Sequence, residues 1–484
     1  MKLKELLHGL KYELQGESRD IRGLSYDSRK IQAGDLFVAI KGFKADGHDF
    51  VQEAVLNGAT AVVLEHSVKG AAFTQVIVPD TRRALAVISS NFYGNPGSKL
   101  RLWGVTGTNG KTTSCYLLKS ILESAGYRVG LIGTIEILLG DSALETERTT
   151  PESLELQKIL AKMVSADLDY VVMEVSSHAL ELQRTYGLPF EAGLFTNLSP
   201  EHLDFHENIH QYFLAKTKLF QSVTGTAVLN ADDPWFAPLK ASVSCPLVTY
   251  GIKHQAQFGA KKIKLEKSGV SYILKSEVGQ IPINLKLAGS FNVSNSLGAA
   301  ALAFSQGISL ACIQKGLANL PGVPGRFETV ENEKGLAVIV DFAHTPDGLK
   351  NILETAKMMA KERLIVVFGA GGDRDKEKRP QMGKIAARLA DYVIITSDNP
   401  RSEDPLAICS AIEAGFLQVR PRGDHKIIID RREAIRNAIA SATRNDLVLI
   451  AGKGHETYQE FADARIPFDD RQEARAAIKE LKDQ

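Results

Sequence analysis

A chain of 484 residues is long enough for about three domains of ordinary size. Its 58 Lys and Arg nearly balance 57 Asp and Glu, which excludes a global field drawing it to nucleic acid or a membrane surface. Any phosphate must be bound locally. Met1–Leu14 lacks the apolar run of a signal peptide, no later run approaches the ~20 apolar residues of a membrane span, and Cys115, Cys245, Cys312 and Cys409 are too dispersed for a metal-ligand pattern. The sequence therefore predicts reduced thiols, a cytoplasmic address, no membrane insertion and no nucleic-acid partner.

Two Pro/Gly-rich seams, Gly94–Ser98 and Pro321–Gly325, divide the chain into segments 1–98, 99–325 and 326–484. The first segment reads only as a smaller, mixed α/β unit. In the second, the short apolar runs Leu102–Thr106, Tyr170–Val175, Gly193–Thr196 and Thr226–Leu229 predict buried strands of a mostly parallel sheet. Helical patterns over Thr113–Ala125 and Leu154–Ser165 separate the earlier ones. The third segment repeats this rhythm at Ala337–Val340, Leu364–Phe368, Tyr392–Thr396, Lys426–Ile429 and Leu447–Ile450, predicting a Rossmann-like α/β unit. Ligands of such sheets bind beyond the carboxyl ends of the strands.

The first candidate site lies at such an end. Leu102–Thr106 runs into Gly107-Thr108-Asn109-Gly110-Lys111-Thr112-Thr113 and then a helix. Glycines let backbone N–H groups turn toward phosphate oxygens, the helix start adds its positive dipole end, Lys111 can reach the β/γ-phosphates, and Thr112 or Thr113 can ligate Mg²⁺. The generic phosphate-loop spacing is not met, because Val105 holds the first glycine position and Gly104 comes one residue early. Glu174 closes the next strand, followed by Ser176-Ser177-His178, and a further strand leads into Asn197–Asp204 with His202. A carboxylate and an imidazole there suit an Mg²⁺ that takes its remaining ligands from substrate phosphate.

These segments resemble the Mur ligases, and the match runs over nearly the whole chain. Its markers are Gly104–Thr113, Met173–His178, Asn197–His206, Ser290–Asn295, Gly325–Glu328, Val340–Asp347, Gly371–Lys376 and Gly452–Glu456. The early Gly104 is what that family shows. Within it, the chain most resembles the enzymes that add the third residue, a diamino acid, to UDP-N-acetylmuramoyl-L-alanyl-D-glutamate.

The resemblance implies a UDP-sugar-binding first domain, an ATP-binding central domain and a C-terminal domain for the incoming amino acid. It implies Mg²⁺ as cofactor, ATP as co-substrate and a monomer. Tyr26, Ser28 and the Gly42–Gly47 loop match the uridine side, and Thr149, Thr150, Ser176 and Arg184 match positions that hold the muramoyl-dipeptide. Asn292, Asn295, Arg326, Asp341 and His344 match nucleotide contacts. Lys216 matches a lysine that the family carbamylates to support a second Mg²⁺, with Lys218 as the neighbouring alternative; carbamylation requires a neutral amine, hence a depressed pKa. Local readings coexist: Thr149-Thr150-Pro151 could cap a helix, Asn292 and Asn295 could cap another, and Asp341 could close a strand turn.

Asp398-Asn399-Pro400-Arg401 resembles the form found in enzymes adding meso-diaminopimelate. A guanidinium suits that substrate's second carboxylate, and lysine would leave Arg401 unpaired. Arg374, Gly452 and Glu456 match further positions of that substrate site. The implied reaction is ATP-dependent amide formation through an acyl phosphate, with Lys111, Glu174, His202 and carbamylated Lys216 as catalytic and metal-supporting groups. Competing readings are a ligase adding L-lysine, a folylpolyglutamate-type ligase, and a nucleotide-dependent switch without ligation chemistry.

Overall fold

In the computed structural model, the described residues are 1–481 other than 43, 44, 70, 141, 147 and 267. Three main sheets form, one per segment, in an α/β fold. The first segment's five-stranded sheet runs in the order Glu13–Gln15, Thr74–Ile77, Ala61–Leu64, Asp35–Val38, Gly23–Ser25, parallel except for the first pair.

The central sheet has eleven strands among the described residues, a parallel core with antiparallel hairpins at both edges. Within its parallel core, Arg101–Thr106 lies between Tyr170–Glu174 and Phe190–Phe195, with Glu174 opposite Val105 and Phe195 opposite Thr106. That register brings three carboxyl ends side by side, so the loops leaving them share one edge. All five residues of Tyr170–Glu174 are buried, the apolar-on-both-faces pattern of a strand covered by helices on each side. One covering helix, Phe291–Ser305, is buried nearly all round by small and branched residues, and packs against Lys111–Ser124. Large-to-small substitution in this core is expected to cost roughly 2–5 kcal/mol.

The third sheet runs Glu328–Thr329, Ala337–Asp341, Leu447–Ala451, Leu364–Phe368, Tyr392–Ile395, His425–Ile427, parallel after its first pair. Its carboxyl ends release the loops carrying His344, Arg374, Asp398–Arg401 and Gly452–Glu456. A fully buried ion pair, Arg431 with Asp470 at 2.7 Å, sits beneath them, and Arg431 also donates to the Ala451 carbonyl at 2.9 Å.

The seam at Pro321–Gly325 is packed. Gly325 and Gly454 both adopt left-handed φ, and a Cβ on either would run into the other's backbone. The Gly325 carbonyl accepts from Phe342 N at 3.0 Å, which ties the seam to the exit of the strand Ala337–Asp341.

Candidate active site

The phosphate loop is clasped by the neighbouring strand exit. Thr108 N donates to Asn197 O at 2.8 Å, Asn109 N to Asn197 Oδ1 at 2.9 Å, and Asn197 Nδ2 returns a bond to Asn109 O at 3.0 Å. Gly110 takes φ 85° immediately before the helix Lys111–Ser124, and a side chain there would collide with Asn295. Thr112 and Thr113 fall in the first helical turn, where backbone N–H groups lack intrahelical partners.

Two amines converge on this loop. Lys111 Nζ donates to Gly107 O at 3.0 Å and Thr108 O at 2.7 Å; Lys216 Nζ donates to Gly107 O at 2.8 Å and lies 4.3 Å from the centre of the Tyr212 ring. Lys216 is 2% exposed, and burial, reinforced by Lys111, pushes its pKa well below that of an ordinary lysine. Burial also lowers Lys111. Lys218, by contrast, is partly exposed and ion-paired to Glu181 at 2.6 Å.

Glu174 is fully buried. Its carboxylate accepts from Thr112 Oγ1 at 3.0 Å, Thr134 N at 2.8 Å and Thr134 Oγ1 at 3.1 Å. Arg326 Nη2 donates to Thr112 Oγ1 at 2.9 Å, stacks over Phe342, and leaves Nε buried without a partner among the described residues. The nucleotide-side asparagines are not caps: the helix begins at Phe291 with Ser290 as its N-cap. Asn292 and Asn295 lie within it, bonded to each other at 3.0 Å, with Asn295 against the phosphate loop. Asp341 is committed locally, its carboxylate accepting from Phe327 N at 2.6 Å and Ala343 N at 2.7 Å, so the strand-closing reading of this residue holds.

Glu201 is the group that sequence reasoning missed. It lies 3.2 Å from His344 Nε2 and 3.8 Å from His202 Nε2, its side chain only 11% exposed. Burial alone would raise its carboxyl, but His202, His344 and Lys111 outweigh burial and hold it far below the usual range. His202 adopts left-handed φ and meets His178 edge-on; burial holds both rings neutral, with pKa values of about 3 and about 4. The only signal available was position, one residue before His202 in the same loop.

On the uridine side, Ser28 is buried with its hydroxyl on Glu53 at 3.0 Å, and the Tyr26 hydroxyl donates to Glu155 at 3.2 Å across to the central unit. Positions 43 and 44 of the Gly42–Gly47 loop lie outside the described residues. Thr149 meets Thr134 at 3.0 Å. Thr149-Thr150-Pro151 is not a cap, because the following helix starts at Ser153 with Glu152 as N-cap. Thr150 Oγ1 instead donates to Glu174 O at 2.8 Å and accepts from Ser176 N at 3.1 Å, while Arg184 donates to Thr150 O at 3.0 Å. Ser176 caps its own short helix through Ala179 N. The buried Glu152 carries three guanidiniums within 4 Å, those of Arg82, Arg148 and Arg184.

Between the second and third units lies a cavity of about 250 Å³. Glu201 and His202 line one wall; Arg374, Asp398, Arg401 and Glu456 line the other, with His344, Asn399 and Gly452. Pro400 instead lines a separate shallow depression. Arg401 is not a free fork: it adopts φ 51°, Nε donates to Glu460 at 2.9 Å and Nη1 to Gly372 O at 2.7 Å. Nη2 is its one nitrogen without a protein partner among the described residues. Arg374 is exposed and forms no ion pair among them. Asp398 is 6% exposed; burial would raise its carboxyl, but Lys453 and Arg431 pull it below normal. No group of three or more His, Cys, Asp or Glu suited to a metal occurs among the described residues. The predicted set never required one, since it holds one of each of two such types.

A loop of the phosphate-binding type on a parallel sheet, beside a cavity lined by charged side chains and shared with a second α/β unit, is the arrangement of a protein suited to a nucleotide and a small polar ligand. Sequence models of this family match three stretches: Mur ligase family, catalytic domain, over 20–93; Mur ligase middle domain over 105–303; and Mur ligase, glutamate ligase domain, over 325–454. The chain belongs to the Mur ligase family and is an amide-bond-forming ligase. It is 47% identical over 481 residues to the UDP-N-acetylmuramoyl-L-alanyl-D-glutamate--2,6-diaminopimelate ligase of Syntrophomonas wolfei, covering 98% of each. It is 48% identical to the enzyme of that name from Caldanaerobacter subterraneus, again over 98% of each. A solved structure of an enzyme with that name superposes with a TM-score of 0.69 at 34% identity, covering 99% of both chains. No helix among the described residues is long and apolar enough to cross a membrane.

Proposed function

We propose that this chain ligates meso-2,6-diaminopimelate to the D-glutamate side-chain carboxylate of UDP-N-acetylmuramoyl-L-alanyl-D-glutamate, using ATP, in cytoplasmic peptidoglycan precursor synthesis. The observation that carries this reading is the shared cavity, with Glu201 and His202 beside the phosphate loop facing Arg374, Asp398, Arg401 and Glu456. One wall serves phosphoryl chemistry; the other offers cations and an anion to a zwitterion. Residues 1–98 hold the UDP-sugar, 99–325 ATP, and 326–484 the amino acid.

The D-glutamate carboxylate attacks the γ-phosphorus of ATP, giving an acyl phosphate and ADP. An amine of diaminopimelate attacks the acyl carbon, phosphate leaves, and an amide forms with loss of a proton. Lys111 sits where it can turn from the loop carbonyls to the transferring phosphoryl oxygens. Thr150, Ser176 and Arg184, tied together behind Glu174, hold the dipeptide. Asn292, Asn295 and Arg326 flank the loop on the nucleotide side. The Glu201–His344 contact joins the two units over the cavity and helps exclude water from the acyl phosphate.

The donor set suits Mg²⁺, a hard cation that keeps water and phosphate ligands: a buried carboxylate at Glu174, a hydroxyl at Thr112 and a neutral imidazole at His202. Bound there, Mg²⁺ neutralises phosphate charge. Lys216 suits carbamylation, in which a neutral amine adds to CO₂ with loss of a proton, because burial favours the neutral form.

A panel of amino acids tested for ADP release in the presence of the UDP-dipeptide decides the matter. Release is expected with meso-diaminopimelate and not with L-lysine. Equal use of L-lysine would leave only the general ligase assignment standing.

A further inference from the structure

Beneath the wall of the cavity that receives the amino acid lies Lys453, whose side chain is fully buried. It is placed there by its neighbours: Gly452 and Gly454 both take positive φ, and the double turn drives the intervening side chain inward. Its Nζ donates to Asn399 Oδ1 at 2.9 Å and to Glu456 Oε2 at 2.8 Å, and lies 4.0 Å from Asp398. Asn399 Nδ2 donates to the same Glu456 Oε2 at 2.9 Å. Asn399 Oδ1 also accepts from Glu460 N at 3.0 Å, and Glu460 is the residue that holds Arg401.

Both protein donors to Glu456 therefore go to Oε2, and Oε1 carries no protein bond among the described residues, although Glu456 lines the cavity. A glutamate on a loop would otherwise sample several rotamers, and fixing it in advance lowers the cost of binding a cation. A buried cation would be unfavourable here without paired acceptors, and these carboxylates supply them.

We propose that Lys453 is a positioning residue for the incoming amino acid, fixing Glu456 so that Oε1 accepts the substrate's ammonium. This rests on the reading of the cavity as the amino-acid site. Lys453 touches no reacting atom, so its loss should be felt in one substrate only.

The test is steady-state kinetics of Lys453→Met, Glu456→Gln and the double variant, with all three substrates varied. Lys453→Met is expected to raise KM for meso-diaminopimelate about tenfold or more, the effect of one hydrogen bond to a charged group. KM for ATP and for the UDP-dipeptide should change less than twofold, and the double variant should be no worse than Glu456→Gln, because the lysine acts through the glutamate. An unchanged KM for diaminopimelate, losses that multiply in the double variant, or equal losses for all three substrates would overturn the proposal. If Lys453→Met does not fold, Lys453→Gln, which keeps a donor at shorter reach, takes its place. Failure of both to fold would make the lysine a structural support and likewise overturn it. A wild-type enzyme that releases no ADP with the diamino acid would remove the underlying reading of the cavity and the proposal with it.

Discussion

Glu201 and His344 meet at 3.2 Å across the boundary between the second and third units, one from the loop after the strand Phe190–Phe195, the other from the loop after Ala337–Asp341. His344 Nδ1 faces the Phe342 carbonyl at 2.9 Å, so both ring nitrogens point at acceptors. The carboxylate thereby orients His344, with His202 Nε2 3.8 Å from its other oxygen. Glu201→Gln keeps the shape and removes the charge. It is expected to lower kcat about tenfold to a hundredfold, the range for a hydrogen bond to a charged group, with the melting temperature nearly unchanged. Wild-type turnover in that variant, measured by phosphate release, would show the contact to be idle.

Lys216→Ala is expected to lose about a hundredfold or more in kcat, as sites lose on removal of one group that stabilises charge in the transition state. Added formate or acetate should restore part of the activity by supplying an oxygen anion in the vacated space. Mass spectrometry of the wild-type protein under CO₂, expected to show a carbamate at this lysine and none at Lys218, gives an independent reading. A fully active Lys216→Ala enzyme would sink the carbamate.

Arg401 is held by Glu460 and the Gly372 carbonyl, so its contribution to substrate binding depends on a partner that keeps it aimed. Arg401→Ala should raise KM for meso-diaminopimelate strongly, with KM for ATP little changed. Glu460→Gln should raise it less, roughly severalfold, because the weakened neutral contact still restrains the guanidinium. If Glu460→Gln cost more than Arg401→Ala, the glutamate rather than the arginine would be reading the substrate.

Acid sensitivity follows from four histidines that burial holds neutral. His178 and His206 are lowered from 6.5 to about 4, and His202 and His455 to about 3. Between about pH 6.5 and 4 the unfolded chain binds protons that the folded chain refuses, so stability falls as pH falls through that window. Glu403 and Asp446, lowered to about 2, add their own loss only further down. The melting temperature should therefore decline between about pH 6.5 and 5, and His455→Gln should flatten part of that decline. A melting temperature constant over that interval would contradict the buried, neutral histidines.

The phosphate loop was legible because everything it needs is local: a strand, two glycines, a lysine and a helix start within one short stretch. Glu174 and His202 were legible because parallel strands place successive carboxyl ends together, and the register of Glu174 with Val105 follows that rule. Glu201 was not legible, because alone it is one more loop carboxylate, and its surroundings come from His344 in another unit. For Asn292 and Asn295 the alternative of a helix cap fails, because the helix starts early enough to enclose them, and Asn295 lies against Gly110 of the phosphate loop. Arg401 was singled out by the resemblance of Asp398–Arg401 and by the fit of a guanidinium to a carboxylate, but its ion pair depends on the small hairpin Tyr458–Glu460 with Arg465–Pro467, which no sequence pattern announced.

The packing of Gly325 against Gly454 sets backbone directly on backbone where the second unit gives way to the third. The Phe342 side chain packs beside them against the His455 ring, so neither backbone has room to give. An added methyl group at Gly325 would strike the backbone of Gly454 and His455, and one at Gly454 would strike Gly325 O and Phe342. Either would shift the loop that carries Lys453 and Glu456 without replacing any group that faces the cavity.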